Sequence, residues 1–234
     1  MADVEDSVSI DVPDRPPVSG HWQLPCEPRA MVAIAHGAGN DMNHAFIRRA
    51  QAMFCDLGAS CLRFNFPYKE LGRKAPDRAP VLESTWCAVV KHMRERFPNL
   101  FLIAGGKSMG GRIATMVASN DERIDALVLL GYPLHPASKP DRERADHFPR
   151  ITAPILFIQG ERDRLCSLDR LRAHLRQLGG PATLHVVPHG DHSFNVPKRS
   201  GLDEEAVWAD ISTATGSWLA RELHHLAKRG HVAG

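Results

Sequence analysis

At 234 residues, with 43% hydrophobic and 24% charged residues, the chain has the size and balance of one well-filled globular domain. Its 29 Lys and Arg against 27 Asp and Glu leave a formal net charge of +2, which gives no bulk attraction toward nucleic acid or a membrane surface. No run reaches the roughly 18 apolar residues of a membrane span, and the five scattered cysteines form no CxxC pair or zinc spacing, which points to reduced thiols in a cytoplasm.

The opening "MADVEDSVSIDVPDRPP" is acidic and lacks an apolar core, so it is not expected to be a signal peptide. Residues 1–18 are expected to begin irregularly within a single domain spanning 1–234. Val8–Val12 and Gly20–Leu24 suggest an antiparallel pair at a sheet edge, with Pro13, Pro16 and Pro17 in the turn between them. Six short apolar runs follow, at Met31–Ala35, Cys61–Phe66, Leu100–Ala104, Ala126–Leu130, Ile155–Gln159 and Thr183–Val187. They are nearly continuous rather than alternating, as in strands buried on both faces of a parallel sheet. Helical patterns lie between and after them, at Asn43–Leu57, Pro80–Phe97, Gly110–Ser119, Leu168–Leu178 and Glu204–Ala227. Alternation of this kind predicts right-handed βαβ crossovers, hence an α/β fold with a mostly parallel sheet between helical layers.

The first run ends in His36-Gly37-Ala38-Gly39, a loop whose glycines let backbone amides turn inward. The third run leads into Gly106-Lys107-Ser108-Met109-Gly110, a G-x-S-x-G between a strand and a helix. In that setting the serine sits on a strained turn that projects its hydroxyl. A glycine-rich turn with a capping serine is the plain alternative. A phosphate loop is not, because G-x-x-x-x-G-K-[ST] would need glycine where Phe101 stands.

A serine hydroxyl needs a base, and the base needs an orienting carboxylate. In this architecture they follow in the order serine, acid, histidine. "ILFIQGERDRL" places Asp163 after one strand and "LHVVPHGDHSF" places His192 after the next, so Ser108, Asp163 and His192 are expected to converge. Glu161 and His189 are the rivals. The HGDH stretch offers no third ligand for a metal, and no cofactor is expected. The amides of Met109, after the serine, and of Ala38, in the early loop, are the expected oxyanion donors. His36, Gly37, Lys107 and Tyr68 are candidate substrate contacts.

The stretches "AHGAGNDMNH", "RFNFPYKELGRKAPDRAP", "AGGKSMGGRIA", "LLGYPLHPASKP", "QGERDRL" and "GDHSF" together resemble the α/β-hydrolase superfamily from about Met31 onward. Within it the chain looks most like a small branch near the dienelactone hydrolases. That branch includes the hydrolase-like domains of testis-expressed protein thirty and of the third regulatory subunit of the NSL acetyltransferase complex. The resemblance implies a serine-hydrolase fold with Ser108, Asp163 and His192 at the triad positions, and no particular substrate. Ser108 stands where true dienelactone hydrolases carry a cysteine, so their reaction is not carried over.

The connection from Tyr132 to Thr152 is too short for a lid domain, which predicts an open, shallow cleft. Arg63, Lys69, Arg73, Lys74 and Lys107 are candidates for a positive rim suited to an anionic acyl group, though they also read as ordinary solvated charges. The expected activity is cleavage of a small carboxylic ester or thioester through an acyl-serine, with no nucleic-acid or membrane partner. A peptidase or amidase shares the chemistry. A non-catalytic interaction module on the same scaffold is the reading from another class.

Overall fold

The computed structural model describes residues 4–25, 27–120 and 123–230. Strands β1 (Val4–Ile10), β2 (Val18–Leu24), β3 (Ala30–Ala35), β4 (Ala59–Phe64), β5 (Phe101–Lys107), β6 (Ala126–Leu130), β7 (Ile155–Gly160) and β8 (Ala182–Val187) form one sheet in the order β1-β2-β4-β3-β5-β6-β7-β8. β1 and β2 pair antiparallel, β2 joins β4 antiparallel, and every later neighbour is parallel. The chain is thus a single-domain α/β fold.

The antiparallel edge pair expected at Val8–Val12 and Gly20–Leu24 is present as β1 and β2, but β1 begins earlier, at Val4, which leaves 11–17 as the irregular part of the described N-terminal residues. Residues 4–10 form a seven-residue strand whose register runs from Val4 opposite Leu24 to Ile10 opposite Val18. Polar residues alternate with apolar ones along this strand, so no continuous apolar run announced it. The run that looked like Cys61–Phe66 is shifted to Ala59–Phe64, because Phe66 precedes a proline, is held extended, and caps the short helix α2 (Pro67–Glu70) instead of pairing. β8 departs from the expectation of burial on both faces: it is the sheet edge, and only Val187 is buried.

Helices α1 (Ala45–Asp56), α3 (Ala79–Arg96), α4 (Met109–Ala118), α5 (Leu168–Leu175) and α6 (Glu204–Gly230) cover the sheet. Alternation along β3 shows how. Met31, Ala33 and Ala35 join the core beneath α3 and α4, whereas Ala30, Val32 and Ile34 join the core beneath α1 and α6. Trp22, Trp86, Phe64 and Phe148 fill the first core, and Phe54, Trp208, Ile211 and Trp218 the second. No helix among the described residues is long and apolar enough to cross a membrane.

Trp86 links packing to the serine turn. Its ring meets Phe64 edge-on at 4.9 Å, and its indole N–H donates to the Gly110 carbonyl at 3.2 Å, with the residue fully buried. Trp86→Ala therefore removes a large core volume and leaves a buried carbonyl without its donor. The expected loss is about 3–5 kcal/mol, read as a lower denaturation midpoint in urea.

Candidate active site

All the parallel strands point their carboxyl ends to one rim, and functional groups of open α/β sheets gather there. At that rim Ser108 immediately follows β5, Asp163 follows β7 and His192 follows β8. Ser108 has φ 52° and ψ −115°, a conformation rarely adopted by a residue with a side chain, and serves as the N-cap of α4. Such a conformation costs about 1–3 kcal/mol and persists only where its surroundings over-determine it.

Those surroundings are backbone. A Cβ on Gly106 would lie 2.3 Å from the Ala35 carbonyl oxygen, and one on Gly110 would lie 2.5 Å from the same atom. The two glycines that bracket Ser108 thus let the turn close directly onto the end of β3. Gly110→Ala puts a methyl group into that contact. Its expected outcome is loss of both stability and Ser108 reactivity, checked by thermal unfolding alongside labelling with a fluorophosphonate probe.

The three side chains lie in one hydrogen-bonded line. Ser108 Oγ is 2.9 Å from His192 Nε2, and His192 Nδ1 is 2.7 Å from Asp163 Oδ2. Asp163 is buried and fully engaged, since its Oδ1 accepts from the Leu165 amide at 2.8 Å and its Oδ2 also accepts from Gln159 Nε2 at 2.6 Å. The other end of Gln159 accepts from the Tyr132 amide at 2.8 Å, so this amide side chain ties β7 to the end of β6. Gln159 was not singled out by sequence reasoning. Its signal is a lone polar residue in the apolar run "ILFIQG".

The rivals pair with each other instead. Glu161 accepts from the His189 amide at 2.7 Å, with the His189 ring 3.5 Å away. Asp191, beside His192, does not orient its ring. It accepts from the amides of Ser193 at 2.7 Å and Asn195 at 3.0 Å and so shapes the loop that carries the histidine.

Ala38 and Met109 both line the cavity that contains Ser108, and neither amide donates to an acceptor among the described residues. His36 and Tyr68, expected at the substrate, lie beneath the loop and are fully buried. His36 Nδ1 is 2.9 Å from the Gly37 carbonyl, and its Nε2 accepts from the Phe66 amide at 3.3 Å. Burial holds this ring neutral, with its pKa pushed down to about 4. A neutral ring is what the two bonds need: one nitrogen donates while the other accepts. Tyr68 packs against it at 5.7 Å. Both residues therefore brace the early loop against the "NFPY" turn.

Two cavities of about 450 Å³ each flank the serine turn. One is lined by Ala38, Asp77, Leu82, Ser108, Met109, Arg112, Pro133, Arg144 and Leu165. Gly37 and Lys107 face the other, between Phe46, Phe194 and Trp208. The predicted positive rim is not built from the residues expected. Arg63 is buried against Gln51 and Asn43, Arg73 pairs with Asp77 at 2.7 Å, and Lys107 turns to the second cavity. The cations facing the Ser108 cavity are Arg112, which lies in "AGGKSMGGRIA" without an assigned role there, and Arg144, which lies outside the quoted stretches. The connection after Tyr132 forms a wall of this cavity through Pro133, Pro136, Ala137 and Arg144.

Lys107 is only 6% exposed. Its ammonium donates to the His192 carbonyl and lies 5.3 Å from the Phe46 ring centre and 5.8 Å from that of Phe194. Burial lowers its pKa from 10.5 to about 8, against the raising effect of Asp163 and Asp191. A folded-state pKa below the unfolded one means the unfolded chain binds the extra proton between those values. The associated stability is therefore present above pH 10.5 and lost as pH falls through about 8. Relative to Lys107→Met, the wild type is expected to gain up to about 3 kcal/mol across that window, measured by urea unfolding of both proteins at neutral and alkaline pH.

Residues 28–220 match the family model described as "Alpha/beta hydrolase domain". A Mycobacterium tuberculosis protein, named provisionally as a phosphoribosyl transferase, is 28% identical over 185 residues, covering 77% of this chain. The chain spans only 40% of that protein's length. Among solved structures, a dienelactone hydrolase from Anabaena variabilis superposes with a TM-score of 0.75 at 20% identity, covering 94% of this chain and 99% of that one. Est1E from Butyrivibrio proteoclasticus gives 0.72 at 14% identity, covering 93% and 99%. With the family model covering most of its length, the chain belongs to the alpha/beta hydrolase domain family.

Proposed function

We propose that the protein is a serine hydrolase that cleaves a small carboxylic ester or thioester through an acyl-serine intermediate. The observation that carries this reading is the unbroken line Ser108 Oγ, His192, Asp163, at 2.9 and 2.7 Å. Hydrogen-bond reach between nucleophile and base, with the base oriented by a third group, is the geometric signature of an activated serine.

In the proposed reaction Ser108 Oγ attacks the substrate carbonyl carbon while His192 Nε2 takes the hydroxyl proton. Asp163 holds the Nδ1 proton, keeping Nε2 free to accept and favouring the imidazolium that forms. Negative charge develops on the former carbonyl oxygen, within reach of the Ala38 and Met109 amides. Collapse expels the alcohol or thiol, which receives the proton from His192. Water, deprotonated by the same nitrogen, then releases the acid and restores Ser108. No step requires a cofactor.

Two features support an active enzyme over an interaction module. The Ser108 backbone holds a strained conformation, and the buried Asp163 is engaged on both oxygens. A binding scaffold has no use for either. Amide cleavage would employ the same groups, and a substrate series separates it from ester cleavage.

Ser108→Ala is expected to abolish fluorophosphonate labelling and to lower kcat on a para-nitrophenyl ester by at least about 10³-fold. Asp163→Asn, which preserves shape but not charge, is expected to lower kcat by about 10²–10⁴-fold with the fold intact. Circular dichroism checks the fold. Wild type that neither labels nor turns over any ester, thioester or amide would sink the proposal.

A further inference from the structure

The Ser108 cavity carries a charge arrangement that the proposed chemistry does not use. Arg112 lies one helical turn beyond Ser108 on α4, its amide donating to the Ser108 carbonyl at 3.0 Å, so its side chain projects from the same side of the helix. Arg144 reaches the cavity from the β6–β7 connection. Its backbone is fixed there, because its carbonyl accepts from the buried Tyr132 hydroxyl at 2.5 Å and its amide donates to Leu134 at 2.8 Å.

Neither guanidinium forms an ion pair among the described residues. Among the described residues the Arg112 guanidinium hydrogen-bonds to the Met116 sulfur at 3.3 Å and that of Arg144 to the Pro133 carbonyl at 3.5 Å. The carboxylate that shares the cavity, Asp77, is paired with Arg73 at 2.7 Å through Oδ1; its buried Oδ2 has no hydrogen-bond partner, and it forms no ion pair with either arginine among the described residues. Burial, and then the Arg112 charge, hold the Arg144 pKa below its ordinary value, so the two cations feel each other. Asp77 leaves the lining with more positive than negative charge, and two like charges without an ion-paired partner repel, a repulsion relieved when an anion enters.

We propose that Arg112 and Arg144 form an anion subsite that selects acyl groups bearing a second carboxylate, so that the preferred substrates are half-esters or half-thioesters of short dicarboxylic acids. The proposal rests on the acyl-serine reading for the position of the scissile carbonyl. Ser108, Arg112 and Arg144 line one cavity of about 450 Å³, which has room for an acyl group with a linker of a few carbons between the two carbonyl carbons. Planar guanidinium forks match a carboxylate in two parallel hydrogen bonds, so a terminal carboxylate fits the site better than a neutral alkyl end does.

The test compares the mono-para-nitrophenyl ester of glutaric acid with para-nitrophenyl pentanoate, a neutral ester of the same chain length. Wild type, Arg112→Gln and Arg144→Gln are assayed, and glutarate binding to each is measured by calorimetry, independently of turnover. The wild type is expected to favour the anionic ester by about tenfold or more in kcat/KM. Each substitution should bring that ratio toward one and weaken glutarate binding, and added salt should erode the wild-type preference. Equal use of both esters by the wild type, or glutarate binding indifferent to both arginines, overturns the subsite while Ser108-dependent cleavage stands. Glutarate binding that needs both arginines, in a protein that cleaves no ester, upholds the subsite and overturns the acyl-serine reading instead.

Discussion

The carbonyl oxygen of Ala35 is the fixed point on which the site is built. It lies where a side chain on either Gly106 or Gly110 would have to be, so the chain before and after Ser108 is pressed against the end of β3. That contact does two things at once. It forces the reversal that gives Ser108 its positive φ, and it brings the serine turn beside the loop that begins at His36. Ser108, Ala38 and Met109 therefore line one cavity through main-chain packing, before the side chains of Asp163 and His192 are considered.

The remaining parts are held by polar groups whose ionisation is set by burial. His36 is neutral and bridges two loops through one donating and one accepting nitrogen. Lys107 occupies the position before the serine and points away from it, where it donates to the main chain of His192 between two aromatic rings. A buried ammonium is costly in water-poor surroundings. Its partial compensation here comes from a carbonyl and two ring faces rather than from a contacting carboxylate. The cost is consistent with a positioning role: Lys107, which ends β5 just before Ser108, also anchors the loop carrying His192, so one side chain ties the two segments together.

Much of this was legible in the sequence because it depends on backbone. The glycines around Ser108, the acid after "ILFIQG" and the histidine in "GDHSF" are dictated by turn geometry and strand order, which leave fixed patterns in the chain. The strand β1 was harder to read, because an edge strand with one solvated face carries alternating polar residues and no apolar run. Gln159 was overlooked for a related reason: a polar residue inside a strand declares its role only when its partners, Asp163 and Tyr132, are in place. His36 looks like a site residue because it opens the Gly37–Gly39 loop, and Tyr68 because it closes the "NFPY" stretch. Sequence proximity does not separate a side chain that lies beneath a loop from one that stands above it.

The positive rim shows where that limit falls. Five cations near the motifs were candidates, and the two that face Ser108 were not among them. Arg112 sits in α4 at a spacing set by helical pitch, and Arg144 is carried by an irregular connection whose path depends on Tyr132 and Leu134. Neither position is constrained by the contacts that create the elbow. The main-chain packing around Ala35 involves neither the Arg112 nor the Arg144 side chain, so the lining of the cavity can change there while the serine turn is kept. In the proposed reading, the reaction type is written in glycines and strand order, whereas the choice of substrate is written in side chains that only tertiary structure brings together.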